Sequence, residues 1–227
     1  MQKMNSCPDY RKFRIYDVLT PEFSHILLLL YWPIYGILFL YFERIRDCTY
    51  HTVESSLDAY IPFVPAFIIP YFLWFVYLIG MIAYTFFTDV AAFRKCMWYI
   101  IITYSITSLI YFIYPTCQNL RPDFTGSGLF SDIVSGLYVF DTNTNVCPSI
   151  HVLGSFAVCF TAFHCKHINK PMVKIVFALL AVLISISTVF LKQHSVIDIF
   201  AALAVAFLSY PIVFGDNKIS KKLMSLI

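Results

Sequence analysis

The residues best suited to chemistry sit in Ser187–Asp198, Ser-Thr-Val-Phe-Leu-Lys-Gln-His-Ser-Val-Ile-Asp, where Lys192, His194 and Asp198 lie between two long apolar runs. If the second run is helical, His194 and Asp198 fall one turn apart on one face. A carboxylate at that spacing can hold the imidazole in one tautomer and make it a better nucleophile or base. The same stretch also fits a helix-start capping pattern, Ser195 followed three residues on by Asp198, which needs no chemistry at all. Two further polar clusters stand beside apolar runs: Arg121-Pro122 with Asp123, and Pro148-Ser149-Ile150-His151.

Together these clusters could handle a phosphate. Pro148 fits the first turn of a helix, so Ser149 and Ile150 would present backbone N–H groups, and Ser149 a hydroxyl, at a positive helix end. Arg121 can grip phosphate oxygens in a fork and Lys192 adds a point charge. His151 and His194 supply one nucleophile and one proton donor. Asp123 and Asp198 are the only acids close to the motifs, so no carboxylate nest for magnesium is expected and no cofactor is required. The chemistry that fits is metal-independent phosphoryl transfer through a phosphohistidine. Each residue also has a plainer reading, as an arginine at the lipid headgroups, a serine cap or an interfacial histidine; the joint pattern is what points to a site.

The elements that must position these residues are membrane helices. Of 227 residues, 59% are apolar, 19% aromatic and only 13% charged, and the mean hydropathy is +0.74, far from a soluble domain, whose charged fraction is about 25%. No repeat or low-complexity tail divides the chain, so residues 1–227 read as one integral membrane domain. A net charge of +3, spread over short loops, excludes a nucleic-acid partner. Residues 1–20 lack the pattern of a cleaved signal peptide. Thr20-Pro21-Glu22 reads as a helix start. The spacing then predicts spans over about 23–42, 61–87, 97–114, 148–163, 172–191 and 195–214, each close to the ~20 residues that cross a bilayer; prolines 62, 65 and 70 should bend the second. The expected fold is therefore an all-α, polytopic bundle of six transmembrane helices.

Twelve of the sixteen lysines and arginines fall in segments on the side of the N-terminus, and only Arg44, Arg46, Arg121 and Lys192 on the other. That bias places both termini in the cytoplasm (N-in/C-in) and all three polar clusters together on the outer face, in a multi-pass protein expected at the plasma membrane. Between the third and fourth spans, Leu129, Phe130, Ile133, Val134, Leu137 and Tyr138 recur at helical steps, as in an amphipathic helix lying at the membrane surface or packed on the loop's own core. Cys117 and Cys147 lie in outer segments, where pairing is permitted. His164-Cys165-Lys166-His167 lies on the opposite side and reads as interfacial side chains, as does His25 in the first span.

The three clusters, in order and spacing, resemble the type-2 phosphatidic acid phosphatase superfamily over roughly residues 60–215. The first family motif, Lys, six residues, then Arg-Pro, corresponds to Tyr114 and Arg121-Pro122. The second, Pro-Ser-Gly-His, corresponds to Pro148-Ser149-Ile150-His151. The third, Ser-Arg, five residues, His, three residues, Asp, corresponds to Ser187-Thr188, His194 and Asp198. Tyr114, Ile150 and Thr188 depart from the pattern in a way similar to the sub-branch of inositol-phosphorylceramide and sphingomyelin synthases. The resemblance implies that His194 attacks phosphorus, Asp198 orients it and His151 protonates the leaving oxygen, while Arg121, Ser149, Ile150 and Lys192 bind phosphate. It implies a hydrolase acting on a lipid phosphate in the bilayer. The alternatives are a phosphotransferase with an alcohol acceptor and a non-enzymatic binder or transporter of an anionic lipid.

Overall fold

The structure, a computed structural model, describes residues 8–123 and 128–226, and it is built almost wholly from helices. The chain first makes short 3-10 turns and then a continuous helical segment, Ser24–Ile45. This segment tightens to 3-10 over Ser24–Leu30, is α-helical over Tyr31–Leu40 (α1) and widens to a π-helix over Tyr41–Ile45. Thr20 does not open this helix. Its hydroxyl donates to the Asp17 carbonyl and closes the preceding 3-10 turn.

A two-residue strand, His51–Thr52 (β1), pairs in parallel with Thr116–Cys117 (β2). The second span runs over Pro65–Thr88, with Ile68–Thr88 as α2, so Pro70 falls in the first turn, where its missing N–H costs nothing. α3, Val90–Ile113, starts seven residues before the expected boundary. The reason is Asp89, which accepts from the Ala92 amide as a cap and so draws Arg94 and Lys95, expected in a loop, into the helix. The expected amphipathic helix is present as α4, Leu129–Phe140. Then follow α5, Ile150–His164, α6, Pro171–Phe190, α7, Val196–Val213, and a short α8, Lys218–Met224.

Five of these segments are long and apolar enough to cross a membrane. α5 has only 15 residues, about 22 Å at 1.5 Å per residue. Its ends nevertheless meet opposite ends of the neighbouring helices: His151 faces His194, just before α7, while the His164 ring packs on Phe214, just after it. α5 is also the most enclosed helix, with Gly154, Ser155, Ala157 and Ala162 buried. Small residues allow close backbone approach, which is what drives helix association when lipid competes for apolar contact. Ala202 and Ala206 do the same on α7, where the Ala206 carbonyl accepts from the Tyr99 hydroxyl of α3 at 2.9 Å. Val76, Ile79, Leu179 and Leu208 are exposed on the outside of the bundle, the surface that lipid would cover.

The first helix starts with His25 beside Phe86 and Phe93 and ends with Arg46 donating to the carbonyls of Tyr111 and Phe112. Its beginning, and the end of α7, therefore lie at the end of the bundle opposite the histidine pair. The fold is an all-α membrane bundle whose loops 46–64, 114–123, 141–149 and 191–195 gather at one end.

Candidate active site

Two features of the chain deliver His194. After α6 ends, Lys192 takes a left-handed backbone (φ 53°), and the Thr188 carbonyl accepts from the amides of Gln193 and His194 at 2.9 and 3.2 Å. The chain thus doubles back on the end of α6 before Ser195 starts α7. The cap and the catalytic reading of this stretch prove compatible. Asp198 Oδ2 accepts from the Ser195 amide at 3.0 Å and from His194 Nδ1 at 3.1 Å. With Nδ1 donating, Nε2 keeps its lone pair, and it has no protein partner among the described residues.

Asp58 holds this corner from the side. Its carboxylate, 3% exposed, accepts from the Ser195 hydroxyl at 2.6 Å, the Val196 amide at 2.9 Å and the Ser55 amide at 2.7 Å. Asp58 was not expected near the site. Its signal is nevertheless present in the pattern Ser55-x-x-Asp58, which is a capping box here too.

His151 enters from the first turn of α5, its ring wedged between Tyr71 and Trp74 with centroids 4.4 and 4.6 Å away. It lies 6.0 Å from the His194 ring, and its buried Nδ1 has no partner among the described residues. Gly154, one turn along, makes this possible: a Cβ there would lie 2.6 Å from the Tyr104 hydroxyl and 2.8 Å from Trp74 Nε1. Pro148 is not in the helix but precedes it, after a cis bond from Cys147, and Ser149 is the N-cap. The Ser149 amide is engaged by the Asp198 carbonyl at 3.3 Å, and its hydroxyl is fully buried without a partner. Only Ile150 of the expected amide pair lines the cavity at the histidines.

Arg121 also stands one step back. Its guanidinium lies over the Tyr138 ring at 4.3 Å and donates to the carbonyls of Tyr138 and Asp141 and to Gln193 Oε1. Gln193, not Arg121, lines the cavity, and its amide nitrogen reaches Asp141 Oδ2 at 3.3 Å. Burial lowers the Arg121 pKa, opposed by the nearby Asp141 charge, while burial raises the Asp141 carboxyl above its ordinary value. Asp123 is exposed.

Lys192 departs most from expectation. Its ammonium donates to the carbonyls of Asp58 and Ile61 at 2.8 and 2.6 Å, so it fastens the 58–61 loop and does not line the cavity. Neither of the motif's two other basic positions lines the cavity: Tyr114 is exposed and stacked on His51, and Thr188, next to His194 through its carbonyl, turns its hydroxyl back to the Ser185 carbonyl. Cys117 and Cys147 are both free thiols, with burial pushing Cys147 up to about 12.

The histidines face a small cavity of about 30 Å³, lined also by Glu43, Asp141, Thr142, Thr144 and Asn145. Glu43 and Asp141 had no local signal; only tertiary packing brings them here. A second cavity of about 530 Å³ adjoins it, sharing Phe39, Asp141, Ile150 and His151. It is walled by aromatic and aliphatic residues of α1, α2 and α4, Trp32, Tyr35, Phe72, Phe75 and Leu137 among them. α4 closes it by seating Val134 and Leu137 on Ile68, Tyr71 and Leu191 while leaving Val139 and Phe140 exposed.

An oriented histidine, a second histidine across a small polar cavity and an apolar chamber thus adjoin one another at one end of a membrane bundle. The PAP2 superfamily profile matches residues 95–218, which include all three polar clusters. The chain belongs to the PAP2 superfamily, and membership supports phosphatase- or phosphotransferase-type activity on lipid phosphates. No curated protein and no solved structure matches the chain.

Proposed function

We propose that this chain is a lipid-phosphate phosphatase that hydrolyses a phosphomonoester or diphosphate of a lipid through a phosphohistidine on His194, without a metal. The observation that carries this reading is the His194–Asp198 pair at 3.1 Å facing His151 where the polar cavity meets the apolar one. The lipid tail would occupy the 530 Å³ chamber, within the usual range of ligand cavities, with the phosphate between the histidines. His194 Nε2 attacks phosphorus as the bond to the lipid oxygen breaks, and that oxygen takes a proton from His151. Asp198 stabilises the imidazolium that develops. His151, now neutral, takes a proton from water, whose oxygen displaces His194 from phosphorus and releases phosphate. Arg121 supplies positive charge through Gln193, and the Ile150 amide at the start of α5 favours the equatorial oxygens.

In this reading α5 is the sixth span, both termini are cytoplasmic and the site faces outward at the plasma membrane, following the lysine and arginine bias. The test is phosphate release by the purified protein from a panel of lipid phosphates in EDTA, beside His194→Ala and His194→Asn. Release that both substitutions abolish supports the phosphohistidine. Lipid binding without release, tolerant of His194→Asn, would mean a binding protein.

A second reading, transfer to an alcohol, is favoured by one specific observation. Among the described residues no lysine or arginine lines the cavity, Tyr114, Thr188 and Lys192 being turned elsewhere, while Glu43 and Asp141 do line it.

A further inference from the structure

The end of the bundle opposite the histidines carries a groove of its own. It has a volume of about 310 Å³ and lies between the end of α2 and the first turns of α6. Asp89 sets its form. One carboxylate oxygen caps α3 through the Ala92 amide, and the other accepts from the Lys166 amide at 2.9 Å. That bond, with Cys165 and Ile168 buried, holds the 165–170 loop against the turn between α2 and α3. Pro171 then starts α6 and sends the chain back through the bundle.

The two ends of the groove differ in chemistry. At its mouth stand His167, Asn169 and Lys170, whose side chains meet no hydrogen-bonding partner among the described residues. They offer one ammonium charge and N–H donors. Lys170 is also the N-cap of α6, where no side chain caps the helix and the helix dipole favours an anion. Among the described residues no carboxylate lines the groove. Further in, the walls are Tyr84, Val173 and Phe177. From Lys170 to Phe177, α6 rises about 10 Å. Tyr77 backs this deep end, with its ring 5.6 Å from Phe177 and its hydroxyl donating to the Phe177 carbonyl at 2.7 Å.

A cationic mouth leading into an apolar trough suits an amphiphile. Val173 and Val176 are exposed, so the trough opens on the surface that lipid would cover. A free phosphate would leave the apolar walls uncovered, and an ammonium-bearing headgroup would find no carboxylate to meet it. Basic pockets between membrane helices on the cytoplasmic side hold anionic headgroups, and the lysine and arginine bias places this end there. We propose that the groove binds a phospholipid with an anionic headgroup, its phosphate at Lys170 and His167 and one acyl chain along Tyr84, Val173 and Phe177. This lipid is not the substrate, and its site stands independently of the phosphatase reading.

The experiment uses the purified, delipidated full chain in detergent at physiological ionic strength. Phosphatidylglycerol, phosphatidylcholine and inorganic phosphate are titrated in turn, with bound lipid counted by native mass spectrometry and melting temperature followed in parallel. The expected result is phosphatidylglycerol bound about tenfold more tightly than phosphatidylcholine, with no shift from inorganic phosphate. Lys170→Ala, which removes the charge, and Val173→Trp, which fills the trough, should each weaken phosphatidylglycerol about fivefold or more. Lys222→Ala, an exposed lysine of α8, and Gly136→Phe, in the chamber beside the histidines, should leave it unchanged. Monodisperse elution of each variant separates loss of the site from loss of the fold. Equal binding of the two lipids, or inorganic phosphate acting as well as phosphatidylglycerol, would overturn the proposal. So would a loss in Lys222→Ala that matches Lys170→Ala, which means surface charge alone, or binding lost in Gly136→Phe and kept in Val173→Trp, which places the lipid in the chamber.

Discussion

Removing Asp58 tests whether the 46–64 loop positions His194, the nucleophile proposed above. Asp58→Ala strands the Ser195 hydroxyl, fully buried, and the amides of Val196 and Ser55. A stranded buried donor costs about 1–3 kcal/mol. Ser195 can turn its hydroxyl and water can reach part of the loop, so counting two donors at the low end gives a loss of about 2–4 kcal/mol. Asp58→Asn can still accept from Val196 and can donate to Ser195 Oγ, but the Ser55 amide loses its acceptor and the Ser195 hydroxyl must turn to find another, which predicts a loss of about 1–2 kcal/mol. His194 immediately precedes Ser195, so relaxation of this corner moves Nε2. A displacement near 1 Å costs on the order of 10²-fold in rate, and it should fall on kcat more than on KM because the tail cavity is built by other helices. Thermal unfolding in detergent and phosphate release at saturating lipid check this. Asp58→Ala that melts and turns over like the unsubstituted protein, or Asp58→Asn as damaged as Asp58→Ala, would refute the reasoning.

Gly154→Ala drives a methyl into Tyr104 and Trp74; overpacking of this kind costs about 1–3 kcal/mol, and because Trp74 flanks His151, kcat should fall at least tenfold, read by phosphate release. Lys192→Met removes two charge-assisted bonds to carbonyls and should lower stability by about 1–3 kcal/mol, while KM for the lipid phosphate stays within about twofold of the starting value because the ammonium does not line the cavity. Gly136 lines the apolar cavity, and a Cβ there meets nothing within 4 Å, so Gly136→Phe should raise KM for a long-chain lipid phosphate and spare a short-chain, water-soluble one, measured side by side. Burial raises the Asp141 pKa in the folded chain, so the fold binds this proton more tightly than the unfolded chain does. Its contribution is fully present below the unfolded value and lost as pH rises through the folded one, so Asp141→Asn should gain stability relative to Asp141 as pH is raised through that window, followed by melting temperature against pH.

The spans were legible because apolar length is a strong signal and lipid leaves helices little alternative. Their ends were legible only where a cap was recognised. The Ser195 cap is legible in Ser195-x-x-Asp198, whereas Asp89 has alanine three residues on and carries no such box, and the expected start of α3 falls seven residues late. Pro148 was placed inside α5 by its preference for first turns, but Ser149 already caps that helix, so the proline lies before it. The tail side of the site was foreshadowed in the spacing of Leu129 to Tyr138, since an amphipathic period survives without knowledge of the partner face.

The polar side was much less legible, and the reason is physical. A lysine's charge is a property of its type, but its direction is decided by which carbonyls lie within reach of a flexible stem. In Lys192 the left-handed backbone and the nearby 58–61 carbonyls settle that direction away from the cavity. Conversely, Glu43 and Asp141 lie far from any motif in sequence and reach the cavity only because the first helical segment and α4 end at the same end of the bundle as the histidines. The outcome changes the electrostatics expected from the motifs, from a cavity lined by cations to one lined by Glu43, Asp141 and neutral polar side chains, with Arg121 behind Gln193. A phosphate dianion entering such a site must be accompanied by protons, on Asp141 or on the histidines.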